Sequence, residues 1–211
     1  MRSNPYSQYV MRGADGLRWT VCTTTREAHG QIIEALQSDA FRGFRLEQFG
    51  AELTVTDKSA ETLPLKDLTH RFYHEDSDRF FRLRFLTPTA FKSKERYVFF
   101  PNIRLIFRSL MSKYSVAAED TDEVDEDMLS ELTEKAAIVE YSLRSVRYSV
   151  EQTKIPSFMG ELAIKVSGAQ TLANYVRLLL CFGEYSGIGI KCSMGMGAVS
   201  LLDRRTGERR F

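Results

Sequence analysis

The sequence predicts an α+β fold of two tandem ferredoxin-like domains, each a βαββαβ unit, the first of them lacking its leading strand and helix. Three observations carry this expectation. Phe81, Leu83 and Phe85 alternate with Arg82 and Arg84, the period-two signature of a strand buried on one face. From residue 80 to residue 202 the periodicity then runs β-α-β-β-α-β, and the first seventy residues repeat only its β-β-α-β part.

In the first part, Tyr6 to Met11 and Leu17 to Thr24 form a hairpin closed by Gly13-Ala14-Asp15-Gly16. Residues 26–37 have helical spacing with Ala28, Ile32, Ile33 and Leu36 inward, and Phe49 to Thr56 read as a strand. In the split βαβ arrangement the first strand is central, so without it the last strand would carry unpaired backbone groups over an open apolar layer. The expectation is that Met1 is not the natural domain start, the chain being a truncated gene product or the gap being filled by something else. A rearranged small sheet is the alternative.

In the second part, Thr87-Pro88 ends the strand begun at residue 80, and a loop rich in Lys92, Lys94 and Arg96 leads to Pro101 in the first turn of a helix. Ile103, Ile106, Phe107 and Leu110 share one side of that helix, with Arg104 and Arg108 on the other. A helix near 125–137 follows. Val139, Tyr141 and Leu143 alternate on one parity and Val146, Tyr148 and Val150 on the other, which suggests a bulge near Arg144-Ser145. Leu162, Ile164 and Val166 make the next strand, Leu172, Tyr175, Val176 and Leu179 the second helix, and Ala198 to Leu202 the last strand. The resulting division is 1–70, a partial N-terminal domain; 71–79, a linker; and 80–211, a C-terminal domain with an acidic insert at 117–137 and a glycine-rich loop at 183–197.

With 211 residues, 43% of them hydrophobic, the chain can bury a substantial core. No run approaches the roughly 18 apolar residues of a membrane span, and the polar N-terminus lacks a secretion signal, so a cytoplasmic location is expected. Cys22, Cys181 and Cys192 show no ligand spacing, which argues against disulfide scaffolds and zinc sites. The net charge of +1 conceals an asymmetry: residues 119–135 hold nine carboxylates and one lysine, leaving +9 on the remainder. A basic body suits an anionic partner.

The glycine-rich loop contains Gly183, Gly187, Gly189, Gly195 and Gly197, with Lys191 at its centre. Glycines allow positive φ and close approach, so their amides can cradle a phosphate; they equally allow tight turns and close packing.

Four segments in this order resemble one family. They are Phe81 to Lys92, Tyr97 to Pro101, Ile155 to Glu161, and Phe182 to Val199. Together they are similar to CRISPR-associated endoribonucleases of the Cas-six type, within the RAMP superfamily, and most like those serving type III systems. The resemblance implies RRM-like tandem domains and cleavage of precursor CRISPR RNA within its repeats, independent of metal or other cofactor. A 2′-hydroxyl attacks in line, leaving a 2′,3′-cyclic phosphate. It implies CRISPR repeat RNA or crRNA as partner, with a CRISPR effector complex and a homodimer as further assemblies and no membrane.

The residues that carry over for RNA binding are Gly187, Gly189, Lys191, Gly195 and Gly197, with Lys154 and Ser157 on the second hairpin strand. Arg82, Arg84, Arg144 and Arg147 are weaker candidates, since arginines opposite an apolar face are ordinarily solvated. The resemblance leaves the catalytic residue unassigned: the family's histidine is expected upstream of Met1, and His29, in Ala28-His29-Gly30-Gln31, which imitates it on the second helix, is a weak candidate. His70 and His74 read as solvated linker residues. Phe91, Tyr97, Phe99 and Phe100 fit either base stacking or core. Two further readings stay open, a non-catalytic RAMP subunit that holds guide RNA and a ferredoxin-like small-molecule module.

Overall fold

The computed structural model describes residues 4–13, 16–118, 121, 123–150 and 153–203. The hairpin tip at Ala14-Asp15 and the acidic residues Glu119, Asp120 and Asp122 lie outside them.

The apolar alternation of β5 (Phe80–Thr89) places Phe81, Leu83 and Phe85 at 2% exposure or less, at the middle of the main core. It is a central strand of a four-stranded antiparallel sheet completed by β8 (Ala136–Val150), β9 (Thr153–Val166) and β10 (Val199–Leu202), in the order β10-β5-β9-β8. Numbered within the domain this is 4-1-3-2, the ferredoxin-like order the sequence predicts. Helix α4 (Ile103–Ala118) buries Ile106, Phe107 and Leu110, and α6 (Gln170–Ser186) buries Leu172, Val176 and Leu179 in the same cluster. Leu129 and Leu132 of α5 (Glu126–Lys135), whose first turn Asp125 caps with its carboxylate, join them.

Three details of this domain differ from expectation. Pro88 does not end β5: the strand runs on to Thr89 through a register irregularity between Phe85 and Thr89, because its far end turns to receive the glycine-rich loop. The register shift in β8 falls between Ile138 and Glu140, not near Arg144-Ser145. The change of parity has another cause. Leu143 faces the helices, whereas Tyr148 and Val150 face a second small cluster of Ala90, Ile155 and Met196 on the opposite side of the hairpin. One hairpin is thus covered on different faces at its two ends.

Before the sheet, β1 (Tyr6–Arg12) and β2 (Leu17–Thr23) pair as predicted. A helix follows in three pieces: α1 (Arg26–Ala28) capped by Thr25, a π-helical turn over His29–Ile33, and α2 (Glu34–Gln37). The strand expected at 49–56 is shorter, β4 (Ala51–Thr54), and pairs with an unforeseen β3 (Gly43–Leu46) through a turn closed by Gly50 at φ 58°. β1-β2 and β3-β4 are separate two-stranded sheets, as is the pair β6 (Phe91–Ser93) and β7 (Arg96–Val98) that follows β5.

The stretch read as linker enters α3 (Leu65–His74), so His70 and His74 lie on a helix and stack at 4.5 Å between ring centroids. Polar side chains of α6 hold this segment down. Asn174 accepts from Ser77 N at 2.9 Å and donates to Phe72 O at 3.1 Å, while the buried Arg177 guanidinium caps the end of α3 at the carbonyls of Arg71 and Glu75. A cavity of about 450 Å³ beside Arg177 is lined by both charges, Arg71 and Glu75 among them. Among the described residues no helix is long and apolar enough to cross a membrane.

Candidate functional site

The glycine-rich loop leaves α6 at Gly187 and returns through Gly197 to β10. Its amides are mostly occupied. Ile188 N donates to Gly197 O at 2.8 Å, Gly189 N to Ser109 Oγ at 2.8 Å, Ile190 N to Ala90 O at 3.0 Å and Gly197 N to Pro88 O at 3.0 Å. Gly187 N continues the helix to Gly183 O, and Gly195 N closes the turn to Cys192 O. The expectation of an amide cradle therefore does not hold for the loop base: these glycines serve close packing. A Cβ on Gly197 would lie 2.2 Å from Ile188 O, and one on Gly189 would lie 2.3 Å from Ala90 O. Pro88 of β5, Ala90 just beyond it and Ser109 of α4 supply acceptors that a ligand was expected to provide.

The tip is different. Lys191 takes a left-handed conformation, φ 54° and ψ 34°, and starts a 3-10 turn over Cys192–Met194. The backbone N–H groups of Lys191, Cys192 and Ser193 find no acceptor among the described residues. Lys191 Nζ reaches only Met194 Sδ, at 3.7 Å, and pairs with no described carboxylate. Four glycines at positions 187, 189, 195 and 197 supply the other positive φ angles, so Lys191 is the one place in the loop where a side chain is kept in a conformation that costs about 1–2 kcal/mol.

Three supports fix the tip. Asn4 donates to Ser193 Oγ at 2.7 Å and Gln8 to Ser193 O at 2.8 Å, with Gln8 held in turn by Trp19 Nε1 at 2.8 Å. Lys113 of α4 reaches beneath, its ammonium donating to Gly187 O at 2.8 Å and to Ser186 O at 3.3 Å at the carbonyl end of α6, and lying 3.0 Å from Cys192 Sγ. Tyr148 of β8 donates its hydroxyl to Met194 O, and burial raises its phenol above the ordinary value. Sequence reasoning missed Lys113, Gln8 and Asn4. Lys113 left a faint signal as a cation at a half-buried position of α4, but the two others carry no such mark.

The remaining predicted residues scatter. Ser157 is fully buried and bonds to Ile155 O at 3.1 Å within its own strand, which removes it from any surface contact in this conformation. Lys154 is exposed, but it pairs across from Ser149 and so projects from the face of the hairpin opposite Ile155 and Tyr148, away from the loop. Arg82 and Arg84 are not simply solvated: Arg82 reaches over β9 to Glu140 of β8 at 2.9 Å, and Arg84 bonds to Glu161 of the neighbouring β9 at 2.8 Å. Arg144 reaches Met159 Sδ of β9 at 4.0 Å, and neither it nor Arg147 has a carboxylate partner among the described residues. His29 is exposed on the π-helical turn, and His70 and His74 are exposed on α3. Phe91 is core at 3% exposure, whereas Tyr97, Phe99 and Phe100 are surface residues.

Known proteins resemble this chain in both fold and sequence. The family model described as CRISPR-associated endoribonuclease Cas6 matches residues 83–199, from β5 through the glycine-rich loop into β10. A CRISPR-associated endoribonuclease Cas6 of Mycobacterium tuberculosis is 42% identical over 93% of this chain, which spans 62% of that protein's length. One from Streptococcus thermophilus is 38% identical over 97% of this chain and 83% of its own. Among solved structures, a Cas6 product complex superimposes with a TM-score of 0.79 at 21% identity, covering 95% of this chain and 83% of that one. The match to the family model over more than half the chain, together with these relatives, places this chain in the CRISPR-associated endoribonuclease Cas6 family.

Proposed function

We propose that this chain recognises CRISPR repeat RNA and acts in its cleavage into guide RNAs, as an endoribonuclease that needs no metal. The observation that carries this reading is the tip of the glycine-rich loop: a lysine held at positive φ among glycines, its ammonium without a carboxylate partner and three successive amides without acceptors among the described residues. Such a run of N–H groups beside a cation suits one phosphate group of a nucleic acid backbone. In the reaction class implied, the ribose 2′-hydroxyl displaces the 5′-oxygen at the adjacent phosphorus; charge builds on the non-bridging oxygens, and donors already aimed at them lower the barrier. Lys191 and its neighbouring amides are assigned that role of binding and charge stabilisation. A general base is a separate requirement.

The second reading, a subunit that holds guide RNA without cutting it, draws support from the histidines. His29, His70 and His74 are all exposed and lie on helices, none of them on the loop or on the β8-β9 hairpin.

Incubating this chain with repeat RNA from its own locus in EDTA, beside the Streptococcus thermophilus relative as a control, separates the readings. Products ending in 2′,3′-cyclic phosphate support the enzyme. Binding without such ends supports the guide-holding subunit, and absence of binding at moderate salt defeats both.

A further inference from the structure

The helix-side face of β8 continues beyond the helices as a track of aromatic and cationic side chains. Register and alternation put Tyr141, Ser145 and Arg147 on this face, and Pro156 and Lys154 on the same face of β9. Phe100 meets Tyr141 edge to face, with ring centroids 6.2 Å apart, and Phe99 stands beside Ser145, Arg147 and Pro156 around a slot of about 330 Å³. Phe100 and Tyr141 are each 61% exposed and Phe99 is 46% exposed. Apolar rings left in water on a face where Arg147 and Lys154 have no described carboxylate partner are poor candidates for structural filling. At about 3.3 Å per residue, the six-residue step from Tyr141 to Arg147 spans roughly 20 Å.

We propose that this track is a second RNA subsite, one that takes unpaired nucleotides with bases stacked on Phe99 and Phe100 and phosphates on Arg147 and Lys154. The inference rests on the RNA reading of the chain but not on the loop, which covers the other face of the same hairpin. Charge complementarity selects the occupant: two cations without a described carboxylate partner, beside exposed rings, match an anionic backbone carrying flat bases, and stacking is available only where bases are not already paired. A second copy of this chain would have to place its own surface against the same cations, which have no carboxylate partner among the described residues.

The test compares a labelled ten-residue oligoadenylate with a ten-base-pair RNA duplex by fluorescence anisotropy. Phe99→Ala is expected to lower oligoadenylate affinity about tenfold and leave the duplex unchanged, with Phe99→Trp restoring it. Lys191→Ala serves as the comparison. If RNA binding responds to Lys191→Ala but not to Phe99→Ala, the subsite is refuted and the RNA reading stands; if the unaltered chain binds neither RNA, both fall. A change in sedimentation of the Phe99→Ala protein with oligoadenylate affinity intact would assign the patch to self-association and overturn the proposal. Thermal melting of each variant confirms that the partly exposed position is altered without loss of the fold.

Discussion

The base and the tip of the glycine-rich loop are made of the same residue types and do opposite work. At the base, glycines at 187, 189 and 197 direct their amides to Gly183, Ser109 and Pro88, and they are glycines because neighbouring backbone or a thiol occupies the place of a side chain. At the tip, a lysine occupies a glycine-like conformation and leaves its own amide and the next two without described acceptors. Glycine here therefore marks packing, and the proposed phosphate contact falls at the residue that departs from glycine.

Substitution at the base is expected to have the largest effect. Gly197→Ala places a Cβ 2.2 Å from Ile188 O at φ 74°, combining left-handed strain with a backbone clash, and should cost about 3 kcal/mol of folding stability in urea titrations. Gly50→Ala is the control, because φ is 58° but nothing lies within 4 Å; it should cost about 1 kcal/mol. Equal losses at the two positions would show that the loop base yields, and the contrast with the tip would break.

The tip should respond in the reverse way. Lys191→Gly removes the cation and relieves the left-handed backbone, so stability should stay level or rise by about 1 kcal/mol while RNA affinity falls. The slope of log affinity against log salt should shrink by about one unit, the change expected when one phosphate is no longer neutralised by the protein. An unchanged slope would return Lys191 to the structural residues.

How much of this was legible in the sequence depended on the range of the contacts. The sheet order followed from alternation in β5, β8 and β9 and from the apolar stripes of α4 and α6, because each element buries one face and that burial is written locally. The loop base was not legible. Its amides are absorbed by the carbonyls of Pro88 and Ala90 and by Ser109 Oγ, partners 80 to 109 residues away, and Pro88 read as the end of a strand when it is the strand's contact with the loop. The change of parity in β8 was visible, but a bulge and a switch of covered face leave the same mark on one strand. Arg177 and Asn174 could not reveal that α6 pins residues 71–79, since polar residues inside a helical pattern state no partner.

The smallest expected effect concerns Tyr148, which ties the hairpin to the tip through Met194 O. Burial raises its phenol above the ordinary tyrosine value, so the neutral form is favoured in the folded protein. For a group raised in this way, the stabilisation is fully present below the unfolded value and is lost as pH climbs through the folded one, where the phenolate can no longer donate to the carbonyl. Tyr148→Phe removes both the bond and the titration. The variant should be about 1 kcal/mol less stable than the parent at about pH 8, and the gap should narrow in melts taken above about pH 10. No gap at either pH would mean that the ring, through its packing with Ile155 and Met196, fixes the tip while the hydroxyl contributes little.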